Sequence, residues 1–130
     1  MKSLLLIAHG SRRAESNEEI KRLADKVRDL SGSEFNQVQS AFLELAEPSI
    51  ERAIDDLVAA GETHILCVPY FLARGAHVAS DIPEALAAAK DKHPKVTFQV
   101  SEYLGEAEQM PNILMQLAGR AITPAKPSHT

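Results

Sequence analysis

Leu4-Leu5-Leu6-Ile7-Ala8-His9-Gly10-Ser11-Arg12-Arg13 is the segment from which the architecture is read. Five consecutive apolar residues, with no polar alternation, read as a strand buried on both faces. The run ends on a histidine, a glycine and two arginines, a polar turn at the carboxyl end of a buried strand. Downstream, Ile20, Leu23, Ala24, Val27 and Leu30 recur at helical spacing, and Gly32 closes the segment. A buried strand followed by an amphipathic helix is the first half of a βαβ unit.

The same alternation continues to the end of the body. Val38 to Leu43 reads as a second strand. Pro48 suits the first turn of a helix whose apolar face is Ile50, Ala53, Ile54, Leu57 and Val58, with Gly61 as its stop. Ile65-Leu66-Cys67-Val68 is a third strand, again continuously apolar. Ser80 is placed to cap a third helix with Pro83 in its first turn, and Leu86 and Ala89 lie on its inner side. Val96, Phe98 and Val100 alternate with polar residues, which puts the fourth strand near a sheet edge. Met110, Ile113, Leu114 and Leu117 form the last helical face. The order βαβαβαβα implies a three-layer α/β/α fold, with a four-stranded parallel sheet, right-handed crossovers and helices on both faces. Residues 1–120 read as one such domain. Residues 121–130, with two prolines and no apolar pattern, read as a disordered tail.

Composition bounds the function. The chain has 130 residues and a formal net charge of −4, with a pI near 5.7. A general nucleic-acid binder carries a basic excess, so that class is disfavoured. The five-residue apolar run after Met1-Lys2-Ser3 falls short of a signal-peptide core of about 7–15 residues or a membrane span of about 20. The single cysteine, Cys67, excludes an intramolecular disulfide and a multi-cysteine zinc site, and an unpaired thiol fits the reducing cytoplasm. No G-x-G-x-x-G, P-loop or G-x-S-x-G pattern is present, so neither a dinucleotide cofactor nor those phosphate and hydrolase chemistries are supported.

A parallel sheet binds ligands outside the carboxyl ends of its strands. The residues directly after each strand are therefore the candidates. They are His9, Gly10, Ser11, Arg12 and Arg13 after the first, Glu44 and then Glu47 after the second, Tyr70, Phe71, Leu72, Arg74 and His77 after the third, and Glu102, Tyr103 and Leu104 after the fourth. Two imidazoles and a carboxylate make a mixed N/O donor set suited to Co²⁺, Fe²⁺, Ni²⁺ or Zn²⁺. Imidazole is also a proton acceptor at neutral pH. Arginines nearby would hold carboxylates or phosphates by paired hydrogen bonds. Against this, a single strand-end histidine commonly has only a structural role, Gly10 is accounted for by a tight turn, and a lone surface arginine is most often simply solvated. His64, His93 and His129 read as structural, and Cys67 as a small core residue.

Three blocks, taken together, resemble the CbiX-type sirohydrochlorin chelatases. These are Ala8-His9-Gly10-Ser11-Arg12, then Ala41-Phe42-Leu43-Glu44-Leu45-Ala46-Glu47-Pro48-Ser49, then Val68-Pro69-Tyr70-Phe71-Leu72 with Gly75 and His77. Asp81-Ile82-Pro83 fits the same pattern. The resemblance runs from about Lys2 to Leu104. It implies a chelatase-like open sheet of flavodoxin-like form, and insertion of a divalent metal into sirohydrochlorin, a tetrapyrrole rich in carboxylates. Co²⁺ is favoured, with Fe²⁺ or Ni²⁺ as alternatives, and the product would serve cobalamin or sirohaem formation. His9 and His77 match the family's two metal-binding histidines and proton acceptors. Glu44 matches the acidic residue that completes the site, with Glu47 close by as the alternative. Gly10, Ser11, Arg12, Arg13, Tyr70, Phe71, Leu72 and Arg74 are the expected substrate contacts. The metal enters as substrate and no prosthetic group is implied. The length resembles the short, one-lobed form that works as a homodimer, for which Phe71, Leu72, Met110 and Leu114 are candidate contacts. Two other readings compete: a carrier that releases metal or tetrapyrrole unchanged, and a phosphotransfer enzyme using His9. Against the second, Ala8 stands where histidine phosphatases present an arginine.

Overall fold

The computed structural model describes residues 2–124. Strands β1 (Lys2–Ala8), β2 (Gln37–Phe42), β3 (His64–Pro69) and β4 (Thr97–Val100) alternate with helices α1 (Ala14–Ser31), α2 (Ile50–Ala59), α3 (Ile82–Lys92) and α4 (Met110–Gly119). The sheet is parallel throughout, in the order β2-β1-β3-β4. The sequence-read α/β architecture is therefore the observed one. β1 is central, and the strand order reverses beside it. The crevice outside its carboxyl end is where such sheets bind ligands.

The alternation of β1 side chains divides the core in two. Leu5 and Ile7 join Ile65 and Cys67 under α2 and α3, which contribute Ile50, Ala53, Ile54, Leu57, Ile82, Leu86 and Ala89. Leu6 and Val38 face the other way, under Ala24 of α1, with Ile20, Leu23 and Val27 around them. The α2 stripe recurs at i, i+3, i+4 and i+7 and is fully enclosed. Burying each large member stabilises by about 1.5–3 kcal/mol. The α2 start is fixed by Ser49, whose hydroxyl accepts from the Arg52 backbone N–H at 3.1 Å.

Several local expectations are corrected. Pro48 is not in the first turn of α2. It precedes the Ser49 cap, after a cis Glu47–Pro48 bond. Ser80 does not cap α3: the chain is already helical from residue 75, and Ser80 sits inside a π-helical turn, His77–Asp81, that runs into α3. Leu30 is not on the inner side of α1 but 88% exposed at its last turn, beyond the reach of the sheet. The apolar face of α4 is not buried: none of its residues is, and Leu114 and Met115 are 58% and 72% exposed. β3 also shows alternating rather than continuous burial: Leu66 and Val68 are half-buried, with Val68 packed against the cluster under α1. Of the expected tail, residues 121–124 carry no regular structure. Residues 125–130, with His129, lie outside the described residues.

Candidate metal centre

The first rim segment is shaped by a glycine. Gly10 has φ +97°, and a Cβ there would stand 1.8 Å from the backbone oxygen of Glu44. Only a residue without a side chain lets the two loops close. The β1–β2 ladder consequently runs on past the strands. Leu43 N–H donates to Ala8 O at 3.0 Å, and Glu44 N–H to His9 O at 3.1 Å. Leu45 then turns the chain at φ +66°, a left-handed conformation that costs a non-glycine residue about 1–2 kcal/mol. These bonds bring the side chains of consecutive rim residues together: His9 Nε2 lies 2.8 Å from Glu44 Oε2.

The third member arrives from the other side of β1. Tyr70 N–H donates to Ile7 O at 2.7 Å, extending the β1–β3 ladder. Gly105 packs against the backbone of Leu72, again with no room for a Cβ, and its N–H donates to Phe71 O at 2.9 Å. The loop so pinned delivers His77, whose ring centroid is 4.6 Å from that of His9. Phe71 packs on the core and lies 6.3 Å from the His77 ring.

One donor atom from each of His9, Glu44 and His77 lies within 4.8 Å of the others. Two imidazole nitrogens and one carboxylate oxygen, half exposed at 42%, 54% and 42%, converge on a single point from three strand ends. This donor set suits a borderline divalent ion and leaves positions open toward solvent. The proton that His9 Nε2 donates to Glu44 occupies the gap a cation would take, so binding there would displace it. Glu47, the sequence alternative, is exposed and outside the group. An open cleft of about 550 Å³ adjoins the point and is lined by Glu44, Ser49, His77, Asp81 and Glu84 among others.

The family model described as CbiX matches residues 3–121. The chain belongs to the CbiX family. A sirohydrochlorin cobaltochelatase of Methanocaldococcus jannaschii is 38% identical over 93 residues, which is 72% of this chain and 64% of that one. A sirohydrochlorin ferrochelatase of Priestia megaterium is 30% identical over 89% of this chain and 43% of its own length. The fold superposes on the sirohydrochlorin chelatase SirB from Bacillus subtilis subspecies spizizenii, solved in complex with cobalt, with a TM-score of 0.79 and 29% identity. That match covers 92% of this chain and 50% of SirB. The CbiX-family chain thus spans 64%, 59% and 42% of the length of the first curated relatives it matches.

The remaining expected contacts of this CbiX-family chain do not converge as the three donors do. Ser11 is occupied within its loop: its N–H donates to Asn17 Oδ1 at 2.9 Å, and Asn17 returns a bond to Ser11 O at 2.8 Å. Arg12 is exposed, and so is Arg13, 3.6 Å from Glu15. Tyr70 lines a cleft with His9, Gly10 and Ser11. Leu72 is 71% exposed. Arg74 lines a different cleft, with Val78 and Tyr103. Cys67 is buried under α2 and α3, and burial pushes its thiol up to about 12. Asn17 and Gly105 were absent from the sequence reading; a helical i,i+6 relation to a turn residue and a glycine after the fourth strand are weak signals. Asp81 was visible only as part of a family motif. It becomes legible once the helix is known to begin before His77, because the two are then four residues apart on one face.

Proposed function

We propose that this chain is a sirohydrochlorin chelatase that inserts a divalent metal, Co²⁺ first, into the tetrapyrrole. The convergence of His9, Glu44 and His77 at the strand ends carries the reading. The names of the relatives, cobaltochelatase and ferrochelatase, support the substrate class and keep Fe²⁺ as the alternative metal, with Ni²⁺ behind it on donor chemistry alone. In this reading His9, Glu44 and His77 hold the ion with positions open toward the cleft. The macrocycle docks over it, its rim carboxylates met by Arg12, Arg13 or Arg74 and its flat face by Tyr70, Phe71 and Leu72. Gly10 and Ser11 shape the floor. Two pyrrole N–H protons leave as two metal–nitrogen bonds form. His9 and His77, released from the ion, are the bases within reach to accept them. The metal keeps its charge, so the reaction calls for no redox group and no prosthetic group.

The phosphotransfer alternative is disfavoured by charge: Glu44 lies 2.8 Å from His9 Nε2, where it would repel an incoming phosphate. The carrier alternative shares the same donors and differs only in turnover. An anaerobic absorbance assay with sirohydrochlorin and Co²⁺, Fe²⁺ or Ni²⁺ separates the two. The expected result is metal insertion well above the spontaneous rate, lost in His9→Ala and His77→Ala. Tight binding without acceleration would leave a carrier.

The working form we propose is a cytoplasmic homodimer. The lone thiol supports the compartment. The apolar face of α4, unburied among the described residues, supports a second copy. Light scattering at micromolar concentration should give a two-chain mass, and a one-chain mass would contradict it. No helix among the described residues is long and apolar enough to cross a membrane.

A further inference from the structure

Two carboxylates touch the histidines of the site, Glu44 on His9 and Asp81 on His77. Glu44 belongs to the converging set with His9 and His77, whereas Asp81 does not. Asp81 Oδ2 instead accepts from His77 Nδ1–H at 2.6 Å. A carboxylate can only accept, so this contact places the proton of a neutral His77 ring on Nδ1 and leaves Nε2 with a free lone pair. The contact is built into the backbone. His77 and Asp81 are the first and last residues of the π-helical turn, whose widened loop is closed by Ile82 N–H donating to His77 O, five residues back. Ile82 is 1% exposed in the core under α3. The aspartate is therefore held on one side by the core and on the other by the ring it meets. Single π-helical turns of this kind cluster at functional sites.

We propose that Asp81 is a positioning residue for the metal centre: it fixes the tautomer and orientation of His77, so that Nε2 is presented to the incoming cation. The negative charge behind the ring also makes Nε2 a stronger donor, as outer carboxylates do for metal-binding histidines. Without that carboxylate a neutral imidazole in water favours the proton on Nε2, the atom that must be bare. Each cation captured would then require a tautomer change. Asp81 does not bind the metal itself, and its side chain is half exposed at 46%, so its truncation leaves the core intact.

The inference rests on reading His9, Glu44 and His77 as the cation's ligands, and the test separates the two. Long-range ¹H–¹⁵N correlation spectra of histidine-labelled, metal-free protein would be recorded near pH 8.5, where an ordinary imidazole is neutral. Wild-type His77 should carry its proton on Nδ1. Asp81→Ala should move it toward Nε2 and weaken Co²⁺ binding, measured by titration, by about 10–100-fold. Asp81→Asn, whose amide oxygen still accepts from Nδ1–H, should restore the tautomer and most of the affinity. A wild-type ring protonated on Nε2 overturns the proposal, as does an Asp81→Ala protein that changes in only one of the two readouts. If the tautomer behaves as expected while His77→Ala leaves Co²⁺ binding untouched, the ligand assignment has failed.

Discussion

Helix α3 has a histidine–carboxylate pair at each end. At its beginning His77 meets Asp81 at 2.6 Å, and just past its last turn His93 Nε2 meets Asp55 Oδ1 at 2.8 Å. The distances are alike and a cleft lies beside each pair, about 550 Å³ at the rim and about 210 Å³ between α2 and α3 at the base. The surroundings differ. Asp55 also accepts from Lys92 at 2.7 Å, and that bond first, then the one from His93, holds its carboxyl below the ordinary 3.8. Asp55 in turn raises Lys92. The base cluster is closed on itself and ties α2 to α3. At the rim a second histidine and a second carboxylate arrive from separate strands, and the donors exceed what they can give one another. Convergence from several strand ends, rather than the presence of a histidine–carboxylate pair, marks the candidate metal centre.

The sharpest way to break this contrast is at Gly10. Gly10→Ala puts a Cβ 1.8 Å from the backbone oxygen of Glu44, closer than the 3.0 Å that real Cβ contacts keep, so the β1 and β2 rim loops must move apart on the ångström scale. Displacements on the 1 Å scale cost about 100-fold in rate. The insertion rate should fall by that order while His93 and Asp55 stay in place. An active Gly10→Ala protein would mean that the β1–β2 closure does not build the site.

Next in size is a test of the base. Glu62 is 2% exposed, accepting from the Ser3 hydroxyl and from Asn36 Nδ2 at 3.2 Å. Glu62→Ala strands the fully buried Ser3 hydroxyl and should cost about 1–3 kcal/mol, read as a lower urea midpoint with unchanged slope. Co²⁺ affinity should not move. A parallel loss of affinity would show that the two ends of the sheet are coupled.

The smallest effect is expected at Asp55. The Lys92 pair is half exposed and the His93 pair only partly buried, so Asp55→Ala should cost on the order of 1 kcal/mol, a fall of a few degrees in Tm. Because the folded carboxyl is lowered, its contribution is complete above the unfolded pKa near 3.8 and is lost as pH falls through the lowered value. The Tm difference between wild type and variant should therefore stay level from about pH 7 to 5 and close below about pH 4. A difference that widens in acid would contradict the pairing.

The sheet was legible because a strand buried under helices is written as an unbroken apolar run, as Leu4–Ala8 is, and because topology then brings the residues that follow such runs to one edge. His9, Glu44 and His77 were found on that argument. What escaped is instructive. Ser80 has the chemistry of a helix cap, yet the helix starts earlier and absorbs Ser80 in a wide turn, and a local propensity reading cannot see an extra residue in a turn. The pairing of His77 with Asp81 was hidden by the same error. Met110, Ile113, Leu114 and Leu117 were legible as a helical face, but periodicity reports amphipathicity and not what covers it, and α4 has no buried residue. The choice between Glu44 and Glu47 depended on the left-handed turn at Leu45, which the residue type does not announce.

The decisive property of the molecule is where a divalent ion binds. Co²⁺ titration of the metal-free protein, followed by its visible absorption, should show saturable binding that is lost in His9→Ala and in His77→Ala and retained in His93→Ala. Binding that survives either rim substitution, or that disappears with His93, would contradict it.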